Sequence, residues 1–170
     1  MLFGRKKSAE TIFTGHYKTM LEIAKASAIA QNPEFELLPA MFVITDYAAA
    51  SARKDRRSIA NEVIRAMKSA YKGFDNALLD KRCELYGEII RGKKLRGEWA
   101  LGAASAFSDN AISKCTALLG DILYNPECAD NYDSAPMVVY GVFESMKYAE
   151  SVMKPLLDEM LNLFKEIYDL

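Results

Sequence analysis

Breakers, histidine and paired cysteines are what this sequence has least of. Nine glycines and five prolines occur in 170 residues. So few breakers favour long helices over many short strands and turns. His16 is the single histidine. Any histidine-based triad must converge on it, and no nucleophile and acid stand beside it at a diagnostic spacing. Glu-x-x-His and His-Glu-x-x-His do not occur, which removes the ligand patterns of di-iron bundles and of helical zinc hydrolases. Cys83, Cys115 and Cys128 are odd in number and widely spaced. Without a Cys-x-x-Cys pair they offer no zinc, thioredoxin-like or disulfide framework, and they read as free thiols in a reducing cytoplasm. No glycine-rich phosphate loop is present either; Gly92-Lys93-Lys94-Leu95-Arg96-Gly97 has the wrong order. The uncharged runs, such as Leu37 to Thr45 and Trp99 to Ser108, fall well short of the ~18 residues of a membrane span. Met1-Leu2-Phe3 precedes Arg5-Lys6-Lys7, the reverse of a signal peptide. No cofactor and no metal is expected from these patterns.

What is present is ordinary globular material. Apolar residues make up 51% of the chain, charged residues 26% and aromatics 11%, enough for a core in one domain spanning residues 1–170. Net charge is −1, but the sum hides a division. Residues 1–96 carry 18 basic and 11 acidic side chains, and residues 97–170 carry 4 and 12. The two halves therefore differ in sign. They can attract each other within the chain, pair two copies head to tail, or steer separate partners.

Periodicity predicts an all-α bundle of four to six helices with mainly antiparallel neighbours. A first helix is expected from about Ser8 to Gln31, capped by the Ser8 hydroxyl. Asn32-Pro33-Glu34 punctuates the chain, with Asn32 a candidate cap for a short turn reaching Leu38. A second helix is expected from Pro39 or Ala40 to about Ala52. The third has the clearest stripe: Ile59, Val63, Met67, Ala70, Phe74, Leu78, Leu85 and Ile89 predict one amphipathic helix from Ser58 to Ile90, with Gly73 or Gly87 as points of interruption. A fourth is expected from Glu98 to Tyr124, stopped by Asn125-Pro126. A loop follows from Glu127 to Pro136. A last helix is expected from Met137 to Ile167, bent or divided by Pro155. Asn-Pro-Glu occurs twice, at 32–34 and 125–127, each time ahead of a proline-led apolar stretch, a faint sign of two related hairpins.

The positive features are basic clusters at helix junctions. Arg53, Lys54, Arg56 and Arg57 join helices two and three; Arg91, Lys93, Lys94 and Arg96 join helices three and four. These eight residues are the interaction candidates. A straight third helix of about 33 residues holds the two clusters roughly 50 Å apart, and the acidic C-terminal half opposes a long phosphate track. Nucleic acid is thus the disfavoured partner. Within the first cluster, Arg53 and Lys54 suit a helix C-terminus and Asp55 suits an N-cap. Arg56 and Arg57 sit awkwardly in a first turn, and acidic groups from the C-terminal half or from a second copy are the expected partners. Glu62, Glu84, Glu88 and Glu98 are the carboxylates of a less favoured metal-enzyme reading, with Glu84 and Glu88 on one helical side. Asp121, Glu127, Asp130 and Asp133 lack the ligand spacing of a calcium loop. The leading expectation is a non-enzymatic helical interaction or homo-oligomeric protein, partnered by a second copy or another protein.

Overall fold

The computed structural model describes residues 7–28, 30–92, 110–124, 126–129 and 147–170. They form six α-helices and, among the described residues, no strand: α1 (Ala9–Lys25), α2 (Pro33–Ser51), α3 (Arg56–Ala70), α4 (Asn76–Ile90), α5 (Ala111–Tyr124) and α6 (Lys154–Tyr168). A 3-10 turn, Pro126–Ala129, follows α5, and a π turn, Ala149–Met153, leads into α6. The expected all-α bundle is observed.

Helix α2 is the hub. It packs against every other α-helix. Its sequence explains why: Phe35, Leu37, Leu38, Ala40, Met41, Ile44, Ala48 and Ala49 are buried around most of its circumference. A helix apolar on all sides belongs inside a bundle, whereas α1, α3 and α6 each bury one stripe. Buried side chains from all six helices join in one continuous core.

The order of contacts sets the directions. Along α1 and α6, Lys7 meets Glu166 and His16 meets Glu159, so these helices run antiparallel. Along α2 and α6, Tyr47 meets Phe164 and Lys54 meets Leu170, so these run in the same sense. The residue before the first Asn-Pro-Glu meets the end of α5: Gln31 N–H donates to the Leu123 carbonyl at 2.7 Å, and its side-chain amide donates to the Tyr124 carbonyl at 3.3 Å.

Several boundaries differ from expectation for identifiable reasons. The long third helix is two helices. Tyr71 leaves helical geometry at φ −136°, and Asp75 starts α4 by accepting from Leu78 N–H at 3.1 Å. The break falls beside Gly73, and Tyr71 is held there by its ring contact with Phe35 of α2, at 5.8 Å. Helix α1 stops at Lys25, six residues earlier than expected. Helix α2 begins at Pro33 and runs through Pro39. Pro39 has no N–H to give the Phe35 carbonyl, and its ring is buried within the bundle. Asn32 is left-handed at φ 47° and makes no side-chain cap. Helix α5 starts at Ala111, where the Asn110 side chain accepts from Ser113 N–H at 2.8 Å; residues 98–109 of the expected fourth helix lie outside the described residues.

One expectation holds in detail: Ser8 accepts from Thr11 N–H at 3.2 Å. Pro155 sits in the first turn of α6 directly after the π turn, and the backbone stays helical through Met153, at φ −64° and ψ −46°, so the helix is not divided there. Gly120 lies against this turn, and its missing side chain leaves room for the Met153 thioether. Most of the expected loop at 127–136, and residues 137–146 of the expected last helix, fall outside the described residues.

Candidate interaction face on helices α2 and α6

The first basic cluster is mostly consumed by the fold. Arg53 lies at φ 53°, the left-handed position that closes a helix. Its N–H donates to the Ala50 carbonyl at 3.1 Å, and Lys54 N–H donates to the Ala49 carbonyl at 2.8 Å. This is a Schellman closure, normally glycine's task. The Lys54 ammonium donates to the Leu170 carbonyl at 2.6 Å, tying the end of α2 to the end of the chain described. Asp55 caps α3 by accepting from Ser58 N–H at 3.1 Å. Arg56 clasps Asp46 of α2 with two parallel hydrogen bonds, at 2.9 and 2.5 Å. The Asp46 hydrogen bonds and charge raise the Arg56 guanidinium above its usual range.

Arg56 thus corrects the expectation of a partner from the C-terminal half, because its acid comes from the neighbouring helix. Arg57 is exposed and makes no ion pair among the described residues. Arg91 is exposed at the end of α4; Lys93, Lys94 and Arg96 lie outside the described residues. The split of the third helix also removes the straight rod that was expected to hold the two clusters apart.

Several ion pairs satisfy charges inside the basic half itself. Lys25–Glu34, Arg56–Asp46, Arg65–Glu10 and Arg82–Glu36 all lie within residues 1–96. Other contacts cross between the halves, onto α6. His16 Nδ1 lies 2.6 Å from a Glu159 oxygen and its Nε2 lies 3.5 Å from Glu166, which also meets Lys7 at 3.8 Å. His16 is largely buried, and both ring nitrogens face carboxylates. An open groove beside it is lined by Lys7, His16, Glu159, Lys165, Glu166 and Asp169 among others. Acids and bases alternate there, and no serine, threonine or cysteine lines it. The arrangement docks α6 onto α1.

Other chemistry-bearing groups are similarly engaged. Burial pushes the Cys83 and Cys115 thiols up to about 12, with Asp80 adding to the effect at Cys83, so neither is a ready nucleophile. Glu62 of α3 accepts from Glu10 N–H at 3.3 Å, whereas Glu84 and Glu88 belong to α4; Glu98 is outside the described residues. Among the described residues no group of three or more His, Cys, Asp or Glu side chains is placed to hold a metal ion. No described helix is long and apolar enough to cross a membrane.

The surface feature that the fold leaves unspent is apolar. Leu161 and Tyr168, 39% and 45% exposed, are the large apolar side chains left open among the described residues. Tyr168 stacks on Phe164 at 5.9 Å between ring centres, and Phe164 meets Tyr47 of α2 at 5.6 Å. Together they make an aromatic ridge along the outside of the α2–α6 pair. The basic clusters drew attention in the sequence; this ridge did not. Its signal was available in the spacing of Leu161, Phe164 and Tyr168, which share one side of a helix whose core stripe is already supplied by Leu156, Met160, Leu163 and Ile167. The chain is thus a small all-helical protein, and its comparison with family models, curated proteins and solved structures finds no match.

Proposed function

We propose that this chain is a non-enzymatic helical interaction protein whose contact surface is the outer side of α6 with its flanking aromatic ridge. The carrying observation is the exposure of Leu161 and Tyr168 on a helix that already buries a full apolar stripe on its opposite side. Exposed aromatic and aliphatic side chains clustered on a rigid element are what an interface core uses. A cytoplasmic setting belongs to the same proposal, supported by free thiols at Cys83 and Cys115.

The test is whether this surface is free for a partner or belongs to the chain's own stability. Leu161→Lys/Tyr168→Lys is expected to leave the unfolding free energy of the isolated chain within about 0.5 kcal/mol of the parent, as for surface substitutions. A loss of about 2 kcal/mol or more would show that the ridge is part of the core, and the reading would fall.

A further inference from the structure

We infer that the partner on this surface is a second copy of the chain, joined through an antiparallel α6–α6 contact with its two-fold axis at Leu161. This rests on the interaction reading above and adds the occupant and its geometry.

Lys154, Asp158, Leu161, Lys165 and Tyr168 follow one another at steps of four, three, four and three, and all five are exposed. That alternation keeps the five residues on one side of the helix. It lies opposite the buried stripe of Leu156, Met160, Leu163 and Ile167. Helix α6 therefore has an inner seam that is used and an outer seam that is open.

The outer seam is its own complement. When two copies of it lie antiparallel about Leu161, that leucine meets its symmetry mate. Asp158 of each copy then falls opposite Lys165 of the other, and Lys154 falls opposite Tyr168. Every position is matched: one apolar contact on the axis, two acid–base pairs and two cation–aromatic contacts. Parallel pairing places Asp158 against Asp158 and Lys165 against Lys165, so the charges select the antiparallel arrangement. Lys154, Asp158 and Lys165 form no ion pair within the chain among the described residues, which leaves their charges available. Tyr168 is already steadied by stacking on Phe164, so little ordering is needed at one end of each contact. Such self-complementarity is the requirement of an isologous dimer.

The seam is one helix long. Standard interfaces bury about 800 Å² per partner, and a single pair of short helices provides less. The dimer is accordingly a weak one, with a dissociation constant on the order of tens of micromolar.

Sedimentation equilibrium on charge-swapped variants tests the proposal. Asp158→Lys makes both facing positions, 158 and 165, basic, and Lys165→Asp makes both acidic. Each variant alone is expected to self-associate about tenfold more weakly than the parent. An equimolar mixture of the two is expected to recover association, and so is the double variant. Circular dichroism on each checks that the helices persist. A cross-linking experiment is independent of the charges: Leu161→Cys lies on the axis and is expected to give a covalent dimer on mild oxidation. Lys154→Cys is about 20 Å from its mate, and none is expected there. A parent chain monomeric up to millimolar concentration, a mixture no better associated than its components, or cross-linking at 154 in place of 161 would each overturn the two-fold geometry. None of these results repeats the stability test of the interaction surface, so failure of the geometry and failure of the surface are separable.

Discussion

Glu36 of α2 and Arg82 of α4 face each other as a doubly hydrogen-bonded ion pair, at 2.9 and 3.1 Å, with side chains only 3% and 5% exposed. Removing one partner breaks a buried charge pair, so Glu36→Leu or Arg82→Met alone is expected to cost about 3–5 kcal/mol. The double variant, which removes both charges, is expected to recover most of that loss. Urea unfolding of all three measures the coupling. Losses that simply add would show that the two groups act independently.

Arg53 is expected to be improvable. Its φ of 53° suits glycine better than any residue with a side chain, and its own side chain makes no ion pair among the described residues. Arg53→Gly is expected to raise stability by about 0.5–1 kcal/mol, while Arg53→Ala gains nothing. Thermal and denaturant unfolding of both variants checks this.

Gly120 is expected to be intolerant of a side chain. A Cβ there would come within 2.4 Å of the Met153 methyl and closer still to its sulfur, and the Gly120 carbonyl accepts from the buried Tyr148 hydroxyl at 3.0 Å. Alanine gains about 1 kcal/mol in helix propensity, but the overlap is expected to outweigh that, for a net loss of about 1–3 kcal/mol. Met153→Ala should cost less in the Gly120→Ala background than in the parent. Equal costs in both backgrounds would place the strain elsewhere.

The buried thiols give a pH dependence of known sign. Burial raises Cys83 and Cys115 from an ordinary value of 9.0 to about 12 in the folded chain. The folded state therefore holds protons that the unfolded state releases. Their contribution is fully present below about pH 9 and is lost as pH rises toward about 12. Replacing both with alanine is expected to flatten the alkaline fall in stability. At pH 8, disulfide-exchange reagents are expected to modify buried Cys115 more slowly than the partly buried Cys83.

Short-range physics made much of this protein legible. Ser8 and Asp55 accept hydrogen bonds within three residues of themselves, and a capping residue carries that information alone. The apolar stripe of α6 is likewise local. The start of α2 was less legible, because Pro39 reads locally as a helix start yet lies inside α2, buried among neighbours that no local pattern reveals. The basic junction at 53–57 read correctly as two helix ends. The acid that takes Arg56 was missed because Asp46 is ten residues away on the other helix.

Sequence alone determined that the chain is helical, where most helices end, and that no familiar catalytic or metal-binding motif runs through it. Those properties follow from spacing, propensity and residue type within a few turns. Tertiary structure decided the pairings. Glu36 finds Arg82 across 46 residues and His16 finds Glu159 across 143, distances over which amphipathic periodicity says which face is buried but not against what. It also decided which apolar residues were left over. Leu161 and Tyr168 are ordinary members of an apolar-rich helix until packing turns one seam of α6 inward and leaves the other facing water.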